Sequence, residues 1–406
     1  MSDHPVANFY EPELDVLRFC AFLAVFASHA LPDDYGALVP RWGHVIPALL
    51  QAIHDAMSFG VCIFFLLSSY LITKLLTIER AATGAVHLKN FYIRRVLRIW
   101  PLYLGFLLLM WVLSNPRLHL FFVPIETGRL LAFLFFSGNI YTGLFGFTLN
   151  PILPLWTVSI EEQFYILWPA IARKGSVFLR RASWTVLAIS VVAAYLLARS
   201  SSNPTHVLWT SSLVQFQFFA LGALVALRFA KRLPSFSPAA RAGLLTGGVA
   251  LLVLAAGWCR LKSTGSVPAG LLTIGYELTA VGVVLILLAF LGAARGRHIP
   301  NALTYLGKIS YGLYVFHDLS LVVSKYLADR FHIHHGFRAG SAAAMTLVLA
   351  MLSYRFFEKP FLILKDRFSL IHSRRPEQAS DGLDSVAPRY SFVERPASGL
   401  SPSSST

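Results

Sequence analysis

The sequence predicts an all-α fold, a polytopic transmembrane helical bundle with about ten crossings plus one re-entrant or interfacial hydrophobic segment. Three observations predict it. Of 406 residues, 56% are hydrophobic and only 14% charged, and a mean hydropathy of +0.61 is too apolar for a water-soluble globule. The apolar runs extend from Leu14 to Phe357, which leaves no stretch long enough for a separate soluble catalytic domain. The basic residues, which give a formal net charge of +15, fall in the gaps between those runs. That is the pattern of cytoplasmic membrane loops, so the excess is topological and no nucleic-acid partner is expected.

The first apolar stretch, Leu14 to Leu31, follows Asp3, Glu11 and Glu13 with no basic n-region, so it is expected to stay in the chain rather than be cleaved as a signal peptide. Met57 to Leu76 and Val96 to Leu113 come next, with the basic cluster Lys74 to Arg98 between them. Leu130 to Phe147 is different in kind, because it carries Ser137, Gly138, Asn139, Gly143 and Gly146. If it crossed, the basic loop Arg173 to Arg181 would lie outside, so it is expected to pack in protein without crossing. Thr157 to Ala172, Trp184 to Ala198, Leu208 to Leu227, Leu244 to Trp258, Ala269 to Leu291, Leu303 to Leu327 and Gly340 to Phe357 complete eleven stretches. The clusters Arg228 to Arg241, Arg295 to Lys308 and Lys359 to Arg375 then face the cytoplasm together with both termini. A membrane domain over 11–362 and a cytoplasmic, largely disordered tail over 363–406 follow, since Ser373 to Thr406 is rich in Ser, Pro, Arg and Asp. Cys20, Cys62 and Cys259 lie in or beside apolar runs with no CxxC spacing, which suits packing rather than a disulfide framework.

In such a protein the informative residues are ionisable groups inside apolar segments, which cost several kcal/mol unless paired or wet. The first span holds Asp15, Arg18 and His29. Eleven residues separate Arg18 from His29, which on a helix returns to within about 20° of one face and about 16 Å along the axis. One wall of one cavity can present both; separately, they read as a snorkelling anchor and an interfacial histidine. Arg94, Arg95 and Arg98 stand at a helix entrance on the expected cytoplasmic side. Their guanidinium fork suits phosphate oxygens, with an anionic-lipid anchor as the alternative. Glu161 and Glu162 enter the fifth stretch from the expected outer side, at the level of His29, where a carboxylate can orient an imidazole that acts as a base. Adjacent residues diverge by about 100°, so only one of the two faces a given point. His317 reads as a core, cavity-lining or functional histidine. His332, His334 and His335 read as a solvated outer loop, with no ligand-spaced carboxylate or cysteine nearby, so no metal is expected. Walker A, HExxH and GxSxG motifs are missing from the sequence.

These segments together resemble acyltransferase family 3, integral-membrane enzymes that move short acyl groups to hydroxyls, chiefly of carbohydrates. The Arg-x10-His signature is matched by Arg18 and His29, preceded by Asp15. The Phe-Phe-x-Leu-Ser-Gly-[Phe/Tyr]-Leu-Ile segment is matched by Phe64 to Ile72, including Ser68, with Ser69 in place of the glycine. Phe91, Tyr92, Arg94, Arg95, Arg98, Ile99 and Pro101 match the arginine motif. Trp156 to Pro169 is similar to the Trp-Ser-Leu-Ser-x-Glu-x-Gln-Phe-Tyr block, with Thr157 for its first serine. Leu306-Gly307, Ser310 to Tyr314, His317 and Glu358-Lys359-Pro360 resemble the closing motifs. The likeness runs in order from about Glu13 to Phe361.

The resemblance implies an O-acyltransferase of the plasma membrane with acyl-CoA, acetyl-CoA first among them, as a cytoplasmic co-substrate rather than a bound cofactor. The acceptor it implies is a carbohydrate or lipid-linked glycan at the outer side. On this reading His29 is general base or nucleophile, Arg18 orients His29 or the donor or stabilises the oxyanion, and Glu161 steers the acceptor or the imidazole. Arg94, Arg95, Arg98 and Ser68 bind the donor, with Asp15, Glu162, Tyr311 and His317 in support. Membrane lipids are the remaining expected partner. A secondary transporter of an anionic or glycan substrate is the competing class, and an inactive membrane scaffold the third.

Overall fold

The computed structural model describes residues 10–262, 265–295, 299–332 and 335–369. Among these, regular structure is entirely helical. The chain runs α1 (Pro12–Ala30), α2 (Val39–Trp42), α3 (Val45–Met57), α4 (Gly60–Thr83), α5 (Leu88–Leu113), α6 (Thr127–Leu134), α7 (Gly138–Phe145), α8 (Trp156–Ala172) and α9 (Ser176–Ser200). It continues as α10 (Pro204–Thr210), α11 (Ser212–Arg228), α12 (Pro238–Gly257), α13 (Ala269–Phe290), α14 (Asn301–Lys308), α15 (Ser310–Arg330) and α16 (His335–Leu352). A π-helical turn, Ser353–Glu358, leads into α17 (Lys359–Asp366). Several starts are written in the sequence. Prolines open α1, α10 and α12 at first-turn positions, where the missing N–H is not needed. The Asn203 and Ser237 side chains accept from the backbone N–H of His206 and Ala240 to cap α10 and α12.

Five helical runs are long and apolar enough to cross a membrane: Val45–Thr83, Leu88–Leu113, Ser176–Ser200, Pro238–Gly257 and Ala269–Phe290. A sixth is α10 with α11 if that pair, bent by 48°, counts as one span. About ten crossings are expected from the sequence; among the described residues these five or six runs have the length and apolarity of a span, and α1, α8 and α15 do not. Helix α1 carries Glu13, Asp15 and Arg18, α15 carries His317, Asp318 and Lys325, and α8 stops at 17 residues. Helices α1, α8 and α15 bear motif residues, as do the apolar α4 and α5. The segment expected not to cross is two helices of eight residues, α6 and α7, broken at Phe135–Ser137; at 1.5 Å per residue each spans about 12 Å, too short for a crossing. The apolar stretch Leu303 to Leu327 is likewise broken at Ile309 into α14 and α15. The amphipathic α3 was not among the expected stretches. The 373–406 part of the expected tail, and His334, lie outside the described residues.

Small residues let the helices close on one another. Helix α11 lies on α4 at Gly222, where a Cβ would stand 2.2 Å from the Leu66 carbonyl oxygen. Helix α14 lies on α1 at Gly307, where a Cβ would stand 2.1 Å from the Asp15 carbonyl oxygen. With no hydrophobic drive between helices in lipid, such backbone approach supplies the packing. It also fixes Asp15 and Arg18 against the later half of the chain.

Candidate active site

A cavity of about 920 Å3 lies where α1, α4, α5, α8, α15 and the Ser353–Glu358 turn converge. Its size falls in the range of small-molecule sites, roughly 300–1,000 Å3. The lining contains Asp15, Arg18, Ser68, Arg94, Arg95, Arg98, Glu161 and Tyr311, so most of the motif residues meet here although they come from five helices. Arg355, Lys359 and Lys365 join them from the end of the described chain, and Lys308 from α14. The carboxylates facing this cationic set are Glu11, Asp15 and Glu161. Sequence reasoning had assigned most of the late basic residues to topology. Only the tertiary fold shows that they share a wall with the arginine motif.

Each cation has a distinct environment. Arg18 Nη1 donates to Asp15 Oδ1 at 3.0 Å, and Tyr10 OH donates to Asp15 Oδ2 at 3.0 Å. Arg94 Nη2 donates to the buried Glu79 at 2.9 Å and Nη1 to the Phe368 carbonyl at 2.8 Å, while His87 N–H donates to the other Glu79 oxygen at 2.9 Å. Arg94 is therefore neutralised within the protein. Arg95 is held between the Phe91 and Tyr165 rings, 5.5 Å from each centroid, and its Nε has no partner among the described residues. Arg98 is half-buried with no ion pair among the described residues. Below them, Lys74 Nζ donates to Glu11 Oε1 at 2.5 Å and Tyr70 OH to Glu11 Oε2 at 3.1 Å, a fully paired buried cluster of the kind a membrane interior tolerates.

The two adjacent glutamates separate as helix geometry requires. Glu161 accepts from Ser68 Oγ at 2.8 Å and Tyr165 OH at 3.1 Å and faces the cavity. Glu162 turns away, accepts from Trp100 Nε1 at 3.0 Å, and leaves Oε1 without a partner among the described residues. The sequence places Glu161 at the level of His29; in the structure its partners Ser68 and Tyr165 line the cavity with it. Helix α8 starts after a 3-10 turn at Leu153–Leu155, and Glu161 lies about 7.5 Å along it.

His29 lies beyond the cavity lining, at the far end of α1 and open to solvent. A line of rings connects it to the cavity. Tyr314 lines the cavity, with its OH 3.0 Å from Thr157 Oγ1. His317, one turn along α15, sits 5.3 Å from the Tyr314 ring and 5.3 Å from the His29 ring. Its Nδ1 donates to the Tyr314 carbonyl at 2.6 Å, which places the proton on Nδ1 and leaves Nε2 as the lone-pair nitrogen of the neutral ring. That Nε2 is buried and has no partner among the described residues. Tyr311 OH donates to the Ile99 carbonyl at 3.0 Å, tying α15 to α5.

The chain thus combines a helical, membrane-type architecture with a cationic cavity from which a line of rings runs to His29. The sequence model of the acyltransferase domain family matches residues 11–355. The chain belongs to that family, acyltransferase family 3. Peptidoglycan O-acetyltransferase OatA of Listeria monocytogenes is 26% identical over 380 residues, covering 86% of this chain and 56% of its own length. A putative peptidoglycan O-acetyltransferase of Bacillus subtilis, YrhL, is 27% identical over 379 residues, covering 86% and 55%. A putative O-acetyltransferase of Staphylococcus aureus is 26% identical over 380 residues, covering 87% and 57%. The chain thus spans little more than half the length of these relatives. No solved structure matches it.

Proposed function

We propose that this protein is a membrane O-acyltransferase that takes an acyl group from acyl-CoA held in the cationic cavity and passes it to a carbohydrate hydroxyl at the His29 end. Family membership favours acyl transfer over the transporter reading, and relatives named peptidoglycan O-acetyltransferases favour acetyl as the acyl group and an envelope glycan as the acceptor. The observation that carries the reading is the continuity of one wall, from Arg95 and Arg98 past Tyr314 and His317 to His29.

The coenzyme phosphates sit against Arg95, Arg98, Arg355 and Lys359, and the cytoplasm is the side from which they enter. Arg18, held by Asp15 and about 16 Å along α1 from His29, is too far to share a carbonyl oxygen with it; its role is donor placement. The thioester reaches along Tyr314 to His29. The His317 ring stands 5.3 Å from the His29 ring and orients it by packing, and a His29 nitrogen takes the proton of the acceptor hydroxyl. The hydroxyl oxygen bonds to the thioester carbonyl carbon, the tetrahedral intermediate breaks its C–S bond, and the His29 imidazolium returns its proton, directly or through water, to the leaving thiolate, which frees coenzyme A and restores the base. Ser68 and Tyr165 hold Glu161 in the donor wall, where it orders Arg18 and Arg95.

The test uses the full chain in nanodiscs with radiolabelled acetyl-CoA. His29→Ala is expected to lower acyl transfer by two to four orders of magnitude with donor binding retained. The Arg95→Ala, Arg98→Ala pair is expected to lose donor binding. Full turnover by His29→Ala removes it from the chemistry, and no binding of any acyl-CoA by folded protein rejects the enzyme reading.

A further inference from the structure

Around His29 stands a second polar set that is not part of the cationic cavity. His29 lies within electrostatic reach of Lys262 and His54. Lys262 belongs to the connection between α12 and α13 and is solvent-exposed, with its Nζ 4.2 Å from the centroid of Trp209. No carboxylate among the described residues comes within ion-pairing distance of it. The acidic group that does act on it, Asp55, is already occupied: it accepts from Gln51 Nε2 at 3.0 Å and stands 3.4 Å from His54 Nδ1. His54 is 6% exposed, packed on Tyr35, and its Nε2 has no partner among the described residues. Trp209 in turn meets Trp156, the first residue of α8.

An ammonium steadied on an indole face keeps its position, and its donors remain available to a ligand. A fixed cation beside a base opposes the imidazolium formed during proton abstraction, and an anionic group bound to the cation cancels that field. We propose that Lys262, with His54 and Trp209, forms the acceptor subsite, and that it selects a glycan carrying an anionic group, carboxylate or phosphate, beside the hydroxyl to be acylated. Lys262 pairs with the anion, His54 Nε2 accepts a hydrogen bond from a neighbouring hydroxyl, and the sugar ring lies against Trp209. This rests on the acyl-transfer reading of His29.

The experiment compares three acceptors with acetyl-CoA and the full chain in nanodiscs: a uronic-acid oligosaccharide, its methyl ester, and a glycosyl phosphate of matched length. The expected result is a kcat/KM about ten-fold higher for an anionic acceptor than for the ester, with the carboxylate and phosphate arms showing which anion is read. Lys262→Met is expected to collapse that ratio to about one through KM, and Lys262→Glu to invert it. Lys262→Arg keeps the charge and is expected to keep the preference, which separates charge reading from misfolding. Equal use of acid, phosphate and ester by the wild type, or an unchanged ratio in Lys262→Met, overturns the inference while leaving acyl transfer in place. No acetyl-CoA turnover with any acceptor overturns the acyl-transfer reading and this inference with it.

Discussion

Arg94 and Arg98 stand one turn apart on the same helix, yet their surroundings divide their duties. Arg94 closes an ion pair with a Glu79 that is 1% exposed, so Arg94→Ala leaves a buried carboxylate alone, which costs about 3–5 kcal/mol. The expected outcome is a clear loss of melting temperature in nanodiscs, partly restored by adding Glu79→Gln. Arg98→Ala, with no ion pair to break, is expected to melt near the wild type and to bind acyl-CoA more weakly. His317→Ala should lower kcat by roughly ten- to a hundred-fold with donor affinity intact, measured by single-turnover transfer, because it removes the ring packed against His29. The three arginines were legible in the sequence as one cluster. Their separation was not, because Glu79 lies fifteen residues upstream on another helix and only the turn between α4 and α5 brings it back.

Among the elements, the contact of α14 with α1 is the tightest constraint on the site. A methyl at Gly307 would stand 2.1 Å from the Asp15 carbonyl oxygen. Gly307→Ala is therefore expected to push the helices apart, at about 1–3 kcal/mol, and to lower activity through Asp15 and Arg18, read as a raised KM for acyl-CoA. Periodicity and composition made the long apolar helices legible, and the glycines and serine of Leu130 to Phe147 marked the stretch that breaks into α6 and α7. They did not reveal α3, whose apolar run Val45 to Leu50 is short and followed by Gln51, His54 and Asp55, nor the break at Ile309, for which Gly307 two residues earlier is the available signal. Loop charge indicates the side of the membrane, but not that Glu161 shares a cavity wall with Ser68 and Arg95.

Over the whole molecule, the cavity cations gather about one end of α1 and His29 lies at the other, so on the proposed reading donor and acceptor approach from different directions. Donor capture by exposed and half-exposed cations is sensitive to screening, whose length falls from about 10 Å at 0.1 M salt to about 3 Å at 1 M. Acyl-CoA binding is expected to weaken several-fold over that range, measured by calorimetry. A fold-level reading of the sequence found the donor end because it is written in motifs. The Lys262 end was not legible, since its residues are scattered over α3, α10 and the connection after α12 and match no pattern.

The Phe368 carbonyl, which receives one arm of Arg94, makes the backbone just past α17 a strut of the cavity wall. This sets a boundary for protein engineers who trim the chain. A stop codon placed before position 368 detaches that arm and slackens the wall at the donor entrance, so a shortened enzyme keeps its donor seat only if the cut falls beyond Phe368.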